Sequence, residues 1–274
     1  MMIADQFRVK SGLVLKETDA NRKLLGAAAT AQIDAKSIDK LQTFNLAEKI
    51  ADLQNVFVAS KNPKLLIILQ GMDTSGKDGT VKGVFGQINP LGARTVAFKA
   101  PSQAEKDRDY LWRIHREVPA KGEIVIFNRS HYEDVLISKV HGWIDEAECI
   151  RRYAHIREFE RMLTETGTTI LKFFLHISKA EQKRRLEERL ADPEKHWKFD
   201  LQDLAERQYW DAYQHAYEAA LSATDTDAAP WYVIPSDSKT QRNLAIASIV
   251  LEKLESMKLK YPPPNPDYAK IRVE

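Results

Sequence analysis

Residues 71–80 read GMDTSGKDGT, between an apolar run at 65–69 (LLIIL) and the helix-like stretch TVKGVFGQI at 80–88. A short continuous apolar run predicts a strand buried on both faces of a parallel sheet. Strand, glycine-bearing loop and helix in register leave few folds open. The spacing Gly71-x-x-x-x-Gly76-Lys77 matches a phosphate-binding loop. Its glycines let successive N–H groups point at oxyanions, the helix N-terminus adds partial positive charge, and Lys77 reaches phosphoryl oxygens. Ser75, Gly79 and Thr80 complete the candidate phosphate-binding set. The bland alternative is a strand-to-helix turn that holds nothing.

The loop departs from the usual pattern at the position after its lysine. A hydroxyl residue there normally binds Mg²⁺, and this chain has Asp78, with a second acid, Asp73, inside the loop. A carboxylate facing a polyanion is repulsive by a few kcal/mol at ~4 Å with an effective dielectric near 20. A phosphate held here therefore calls for metal ions, with Asp73 or Asp78 binding them directly or through water. Thr80 is a weaker candidate for the missing hydroxyl, and Asp78 is alternatively a carboxylate favoured by the helix dipole.

Apolar runs at 124–127 (IVIF), 169–175 (TILKFFL) and 231–234 (WYVI), with a shorter one at 94–98 (RTVAF), predict four further strands. Helical segments separate them. Ser102/Glu105 and Ser178/Glu181 have capping-box spacing, Asp145/Glu148 is similar, and Gly167 ends the segment 145–166. Helical spacing also runs from Ser37 through Ile38, Leu41, Ile50, Leu53 and Phe57 to the Asn62-Pro63 break. Alternation repeated about five times predicts an α/β fold, a doubly wound parallel five-stranded sheet. No internal repeat is visible. The first 36 residues are expected to pack on or near the body, and the tail YPPPNPDY to be extended.

The strand at 124–127 runs into Asn128-Arg129-Ser130-His131-Tyr132-Glu133-Asp134. Ligand crevices of such sheets lie beyond the carboxyl ends of the strands, so this segment is expected to face the loop at 71–80. Arg129 offers a bidentate phosphate donor. Ser130-x-x-Glu133 is itself a capping box, which makes Asp134 the safer metal candidate. The helix SKAEQKRRLEER at 178–189 follows the fourth strand. Its charges are either solvated i, i+4 pairs or, from its place over the carboxyl edge, lid arginines that close on a transferred phosphoryl group.

Composition narrows the remaining classes. The chain of 274 residues has a net charge of +2, so no global basic field draws in nucleic acid. One cysteine, Cys149, excludes an internal disulfide, no run approaches a membrane span, and the N-terminus lacks a signal core; a cytoplasmic protein is expected. Seven histidines form no metal-ligand spacing, and His155 and His176 are read as structural or surface residues. Trp210, Tyr213 and Tyr217 read as core. Trp231 and Tyr232 open a strand near the crevice, where core packing competes with contact to a base.

GMDTSGKDGT, FNRSHYEDV, and the stretch from TTILKFFLHISK through RLEERL, DPEKHWKF and PWYVIP together resemble the polyphosphate kinase 2 family, over about residues 37–262. The paired-aspartate loop and NRSHYED suggest its branch acting on both AMP and ADP. The resemblance implies a P-loop kinase core (37–262) with a helical lid at about 179–205, an N-terminal extension (1–36) and a tail (263–274). It implies Mg²⁺-dependent phosphoryl transfer between inorganic polyphosphate and AMP or ADP, in a homo-oligomer, dimer or tetramer. The catalytic set is then Asp73, Lys77, Asp78, Arg129, Asp134, Arg185 and Arg189. Gly71, Ser75, Gly76, Lys77, Gly79, Thr80 and Arg129 hold phosphate, and Asp73, Glu133 and Asp134 hold metal. The rivals are an ATP-dependent nucleoside monophosphate kinase, which Asp78 and Asn128 count against, and a phosphate-sensing module without turnover.

Overall fold

The structure is a computed structural model and describes residues 2–23 and 34–273. Five parallel strands, β1 (Lys64–Gln70), β2 (Ala93–Ala97), β3 (Ile124–Asn128), β4 (Thr168–His176) and β5 (Trp231–Pro235), form one sheet in the order β2-β3-β1-β4-β5. The expected fold class and all five strands are present. Between and after the strands run α1 (Ala35–Ser60), α2 (Lys77–Phe85), α3 (Gln103–Lys106), α4 (Trp112–His115), α5 (Glu133–Val140), α6 (Glu146–Glu165), α7 (Lys179–Ala191), α8 (Leu201–Arg207), α9 (Trp210–Thr224) and α10 (Lys239–Ser256).

The continuous apolar runs are explained by a core on each face. Leu65, Ile67, Leu69, Ile126, Phe173 and Leu175 pack with α1, α2 and α10. Leu66, Ile68, Val125, Phe127, Ile170 and Phe174 pack with α5, α6 and α9 on the other face. Side chains alternate across a strand, so both registers must be apolar. Chain leaves β1 for the first face through α2 and leaves β3 for the second through α5. Leu69 and Asn128 are paired in register, so these diverging loops open a crevice above the middle of the sheet.

Several local expectations change. Helix α1 is capped by Asp34, whose carboxylate accepts from the amides of Lys36 and Ser37. Its buried stripe runs through Asp39, Thr43, Ala47, Ile50, Gln54 and Phe57, leaving Leu41 exposed. The stripe tolerates Asp39 because Thr240 and Gln241 of α10 donate to that carboxylate. The capping box at Ser102/Glu105 forms. At Ser178 only half does: the hydroxyl accepts from Glu181 N, but the Glu181 carboxylate takes Arg184 and Arg185 instead. Ser130 is not a cap; α5 starts at Glu133 after Tyr132, and the Ser130 hydroxyl accepts from Tyr132 N.

Residues 7–9 add an antiparallel bridge along β5, with Val9 N donating to Trp231 O and Phe7 O accepting from Val233 N. This covers an edge strand that would otherwise be open to pairing with another chain. Glu17 ties the same segment to the body, accepting from Lys179 N and from the Trp210 indole. The tail is not wholly extended: Pro266–Lys270 forms a 3-10 turn capped by Asn265. Trp231 is fully buried at the amino end of β5, away from the crevice, and its indole donates to Thr224, so it does not offer a face to a base.

Candidate active site

The loop at 71–76 leaves β1 between the ends of β3 and β4. Gly71 (φ +151°) is required because a Cβ would meet Leu175 O at 2.7 Å. Gly76 (φ +103°) takes the left-handed conformation just before α2. Lys77 is buried, and its ammonium folds back to donate to Gly71 O at 2.7 Å and Met72 O at 3.3 Å. Burial holds its pKa below the ordinary lysine value, Arg129 lowers it further, and Asp73, Glu133 and Asp78 oppose both. Three buried hydroxyls of the loop and the first helical turn, on Thr74, Ser75 and Thr80, have no hydrogen-bond partner among the described residues. Buried polar groups without partners are uncommon, and here three such donors lie within seven residues of one another around one loop. Gly79 follows in α2, beside an exposed Asp78.

The segment after β3 meets this loop as its register requires. Arg129 N donates to Leu69 O at 3.1 Å, and the Asn128 amide donates to Asp78 Oδ1 at 2.6 Å. Arg129 has φ +64°, a conformation costly for a residue with a Cβ. That backbone turns its guanidinium onto the Asp73 carboxylate, with Glu133 at 3.8 Å on the other side. The charge of Glu133 raises the Arg129 pKa most, Asp73 adds to it, and desolvation opposes both. Gln70 completes the shelf when its amide nitrogen faces Glu133 Oε1 at 3.0 Å and its oxygen accepts from Ser130.

The remaining candidates are placed differently. Asp134 faces Arg113 at 3.5 Å, and its pKa is raised by burial, with Arg113 and Arg152 pulling it back. Arg185 is buried, and its guanidinium donates to the carbonyls of Thr74, Ser75, Ser236 and Asp237 and to Glu181. Arg189 is half-buried on α7, donating to Lys198 O at 2.8 Å and to Asp203 at 3.2 Å. Among the described residues no three His, Cys, Asp or Glu side chains converge on one point. The donor set still fits Mg²⁺, which keeps several waters and takes one or two carboxylates plus phosphates rather than a protein cage. Asp73 and Glu133 flank the Arg129 guanidinium, so one cation already sits between these two carboxylates.

Sequence reasoning missed several residues here. Gln182 on α7 donates to Asp73 O at 3.1 Å and accepts from Arg207 of α8 at 2.6 Å, tying both helices to the loop. Asp203 on α8 has its pKa raised to about 6, first by burial and then by Asp73, against Arg189 and Arg129. Behind Arg129, a buried network joins Lys172 of β4, Glu160 of α6, Tyr132, His131 and Thr224. Only Lys172, a cation inside the run TILKFFL, could have signalled it. A cavity of about 280 Å³ lies past the end of β2, its charged lining made of Lys99, Arg113 and Arg116 with Glu105 and Glu117.

A five-stranded parallel sheet in this order, with a lysine-bearing phosphate loop after its central strand, defines a P-loop kinase. The family model for Polyphosphate kinase 2 matches residues 33–262, and the chain belongs to that family. It is 52% identical over 229 residues to an AMP/ADP-polyphosphate phosphotransferase of Meiothermus ruber, covering 84% of this chain and 86% of the relative. It is 44% identical over 231 residues to an ADP-polyphosphate phosphotransferase of Rhodopseudomonas palustris, covering 80% of each. The crystal structure of polyphosphate kinase 2 from Arthrobacter aurescens TC1 superposes with a TM-score of 0.92 at 45% identity, covering 98% of this chain and 95% of that one. Among the described residues no helix is long and apolar enough to cross a membrane.

Proposed function

We propose that this chain transfers a phosphoryl group between inorganic polyphosphate and AMP or ADP, forming ADP or ATP with Mg²⁺. The observation that carries the reading is the loop itself. Its lysine and three hydroxyls have only backbone partners or none, and it faces an arginine held between two carboxylates. Such a site exchanges internal partners for phosphoryl oxygens when an anion enters.

Transfer needs positioning and charge neutralisation more than covalent help. Lys77 and the loop amides hold the terminal phosphates of the donor. Arg129 swings from Asp73 onto an equatorial oxygen of the transferred group. An oxygen of the nucleotide's terminal phosphate attacks that phosphorus in line, the anhydride P–O bond to the chain breaks, and the chain leaves one phosphate shorter. Neither oxygen needs a base at neutral pH, which leaves Asp78, held by Asn128, to orient the acceptor. Asp73 and Glu133 would hold Mg²⁺, which neutralises phosphate charge when bound, and Asp134 supports them by fixing Arg113. Lys99, Arg113 and Arg116 make the cavity beyond β2 the candidate seat for the acceptor phosphate.

The kinase domain spans 37–262, with a lid at 179–205, an N-terminal extension (1–36) and a tail (263–274). Arg189 is the lid's closing arginine, because its partners Lys198 and Asp203 lie within the lid, whereas Arg185 is bonded to the loop carbonyls and fixes the base of α7. The protein works as a homo-oligomer, dimer or tetramer, in the cytoplasm, without nucleic acid or membrane partners.

The test is to incubate the protein with Mg²⁺, long-chain polyphosphate and AMP or ADP, with no ATP, and follow nucleotides by chromatography. ATP formed from both acceptors is the expected result. ATP from ADP alone would move the chain to the other branch, and transfer only from ATP to a monophosphate would overturn polyphosphate as donor.

A further inference from the structure

Arg242 lies in the first turn of α10, 2% exposed, directly beneath the phosphate loop. Its Nη1 donates to Ser75 O at 3.1 Å, and its Nε and Nη2 donate to the neutral amide oxygen of Asn243. Among the described residues no carboxylate is one of its partners. The Ser75 carbonyl also accepts from Arg185 at 3.2 Å, so two guanidinium groups grip one peptide. Burial and the charge of Arg185 press the Arg242 pKa down to about 9. Both causes act against its charge, and no anion offsets them.

The same side chain explains the glycine of the motif. A Cβ at Gly76 would fall on the Arg242 guanidinium, and one at Gly79 would lie 3.1 Å from Nη2. The loop is thus moulded over a cation. Burying a charge without a partner is expensive, and removing such a charge commonly leaves a fold as stable or more stable. A feature that costs stability and sits against a binding loop points to a role in binding.

We propose that Arg242 is a positioning residue for the phosphate chain. Its unneutralised guanidinium fixes the Ser75–Gly76 peptide and lends the loop positive potential, and the bound polyanion is its counter-ion. The inference deepens the polyphosphate reading and rests on it. Arg242 touches no phosphate itself. It polarises the Ser75 carbonyl, strengthens the Gly76 N–H as a donor and holds the loop in an anion-accepting shape.

The experiment compares the full chain with Arg242→Met and Arg242→Lys. Thermal melts are recorded with and without inorganic tripolyphosphate, and kcat and KM for polyphosphate are measured with ADP. In the absence of anion, Arg242→Met is expected to melt at the wild-type temperature or above. Its KM for polyphosphate should rise on the order of tenfold or more, with a smaller fall in kcat and a reduced stabilisation by tripolyphosphate. Arg242→Lys should recover most of the KM, because it keeps the charge. An unchanged KM would overturn the proposal. So would a raised KM accompanied by a collapse of the anion-free melting temperature, since that is the pattern of a structural strut. A wild type that uses only ATP as donor would refute polyphosphate as substrate, and the same comparison read on the KM for ATP would still decide whether Arg242 serves the loop.

Discussion

Replacing Lys172 by Met tests how the segment carrying Arg129 is held from behind. Lys172 Nζ is fully buried and lies 2.6 Å from Glu160 Oε2, 2.8 Å from Thr224 O and 3.0 Å from the Tyr132 hydroxyl, so all three of its protons are used. Glu160 also accepts from Tyr132 at 2.8 Å and lies 3.3 Å from His131. Burial pushes the Lys172 pKa down against the pull of Glu160. It pushes Glu160 up, yet Lys172 and His131 together hold that carboxyl below its usual value. At 2.6 Å and an effective dielectric of ~20, the pair attraction is about 6 kcal/mol. Desolvation of the two ions costs several kcal/mol each, so the intact pair is near balance. Removing one partner forfeits the attraction and leaves the other's penalty, which destabilises by about 3–5 kcal/mol. At about 2–4 °C per kcal/mol for a chain of this size, Lys172→Met should melt about 6–20 °C lower. The double variant Lys172→Met/Glu160→Leu should recover most of that loss. Urea and thermal unfolding of the wild type, both single variants and the double variant close the cycle. A single variant within ~1 kcal/mol of wild type, or a double variant whose losses simply add, would refute the reasoning.

Three further outcomes follow from the same structure. Asp203 is raised from an ordinary carboxylate to about 6, so its contribution to stability is present below about pH 4 and lost as pH rises through about 6. Asp203→Asn should therefore be more stable than wild type at pH 7.5, by about 1 kcal/mol after solvent screening, and converge on wild type below pH 4, as melts across pH will check. Gly76→Ala places a Cβ at φ +103° and onto Arg242, so a loss of about 2–5 kcal/mol is expected by denaturant unfolding; an unaltered midpoint would contradict the packing described. Lys77→Met should lower kcat by ~10²–10³ or more while circular dichroism and melting stay at or above wild type, and near-normal turnover would remove Lys77 from the phosphate site.

The central architecture was legible because its signals are local. A strand buried on both faces must be apolar at every position, so LLIIL and IVIF mark β1 and β3 wherever they occur. The positive-φ backbone at Gly71 and Gly76 and the helix start at Lys77 were legible because they are matters of neighbouring residues. Capping boxes were read less well. Ser130 and Glu133 have the required spacing, but Gln70 and Arg129 draw their side chains elsewhere.

What the sequence alone determined is the order of strands and helices and the loop that can cradle phosphate, since periodicity and glycine placement act within a few residues. The tertiary structure alone decided the fate of the charges gathered around the loop, whereas Arg184 pairs with Glu181 and Glu188 within its own helix. Nothing near Arg242 in sequence says that it lies under residue 76, nor that Arg185 is bonded to the loop while Arg189 is not. An arginine on a helix reads as solvated until a distant element packs over it. Burial, pairing and pKa depend on contacts across more than a hundred residues of chain, and those exist only once the sheet has brought its carboxyl edge together.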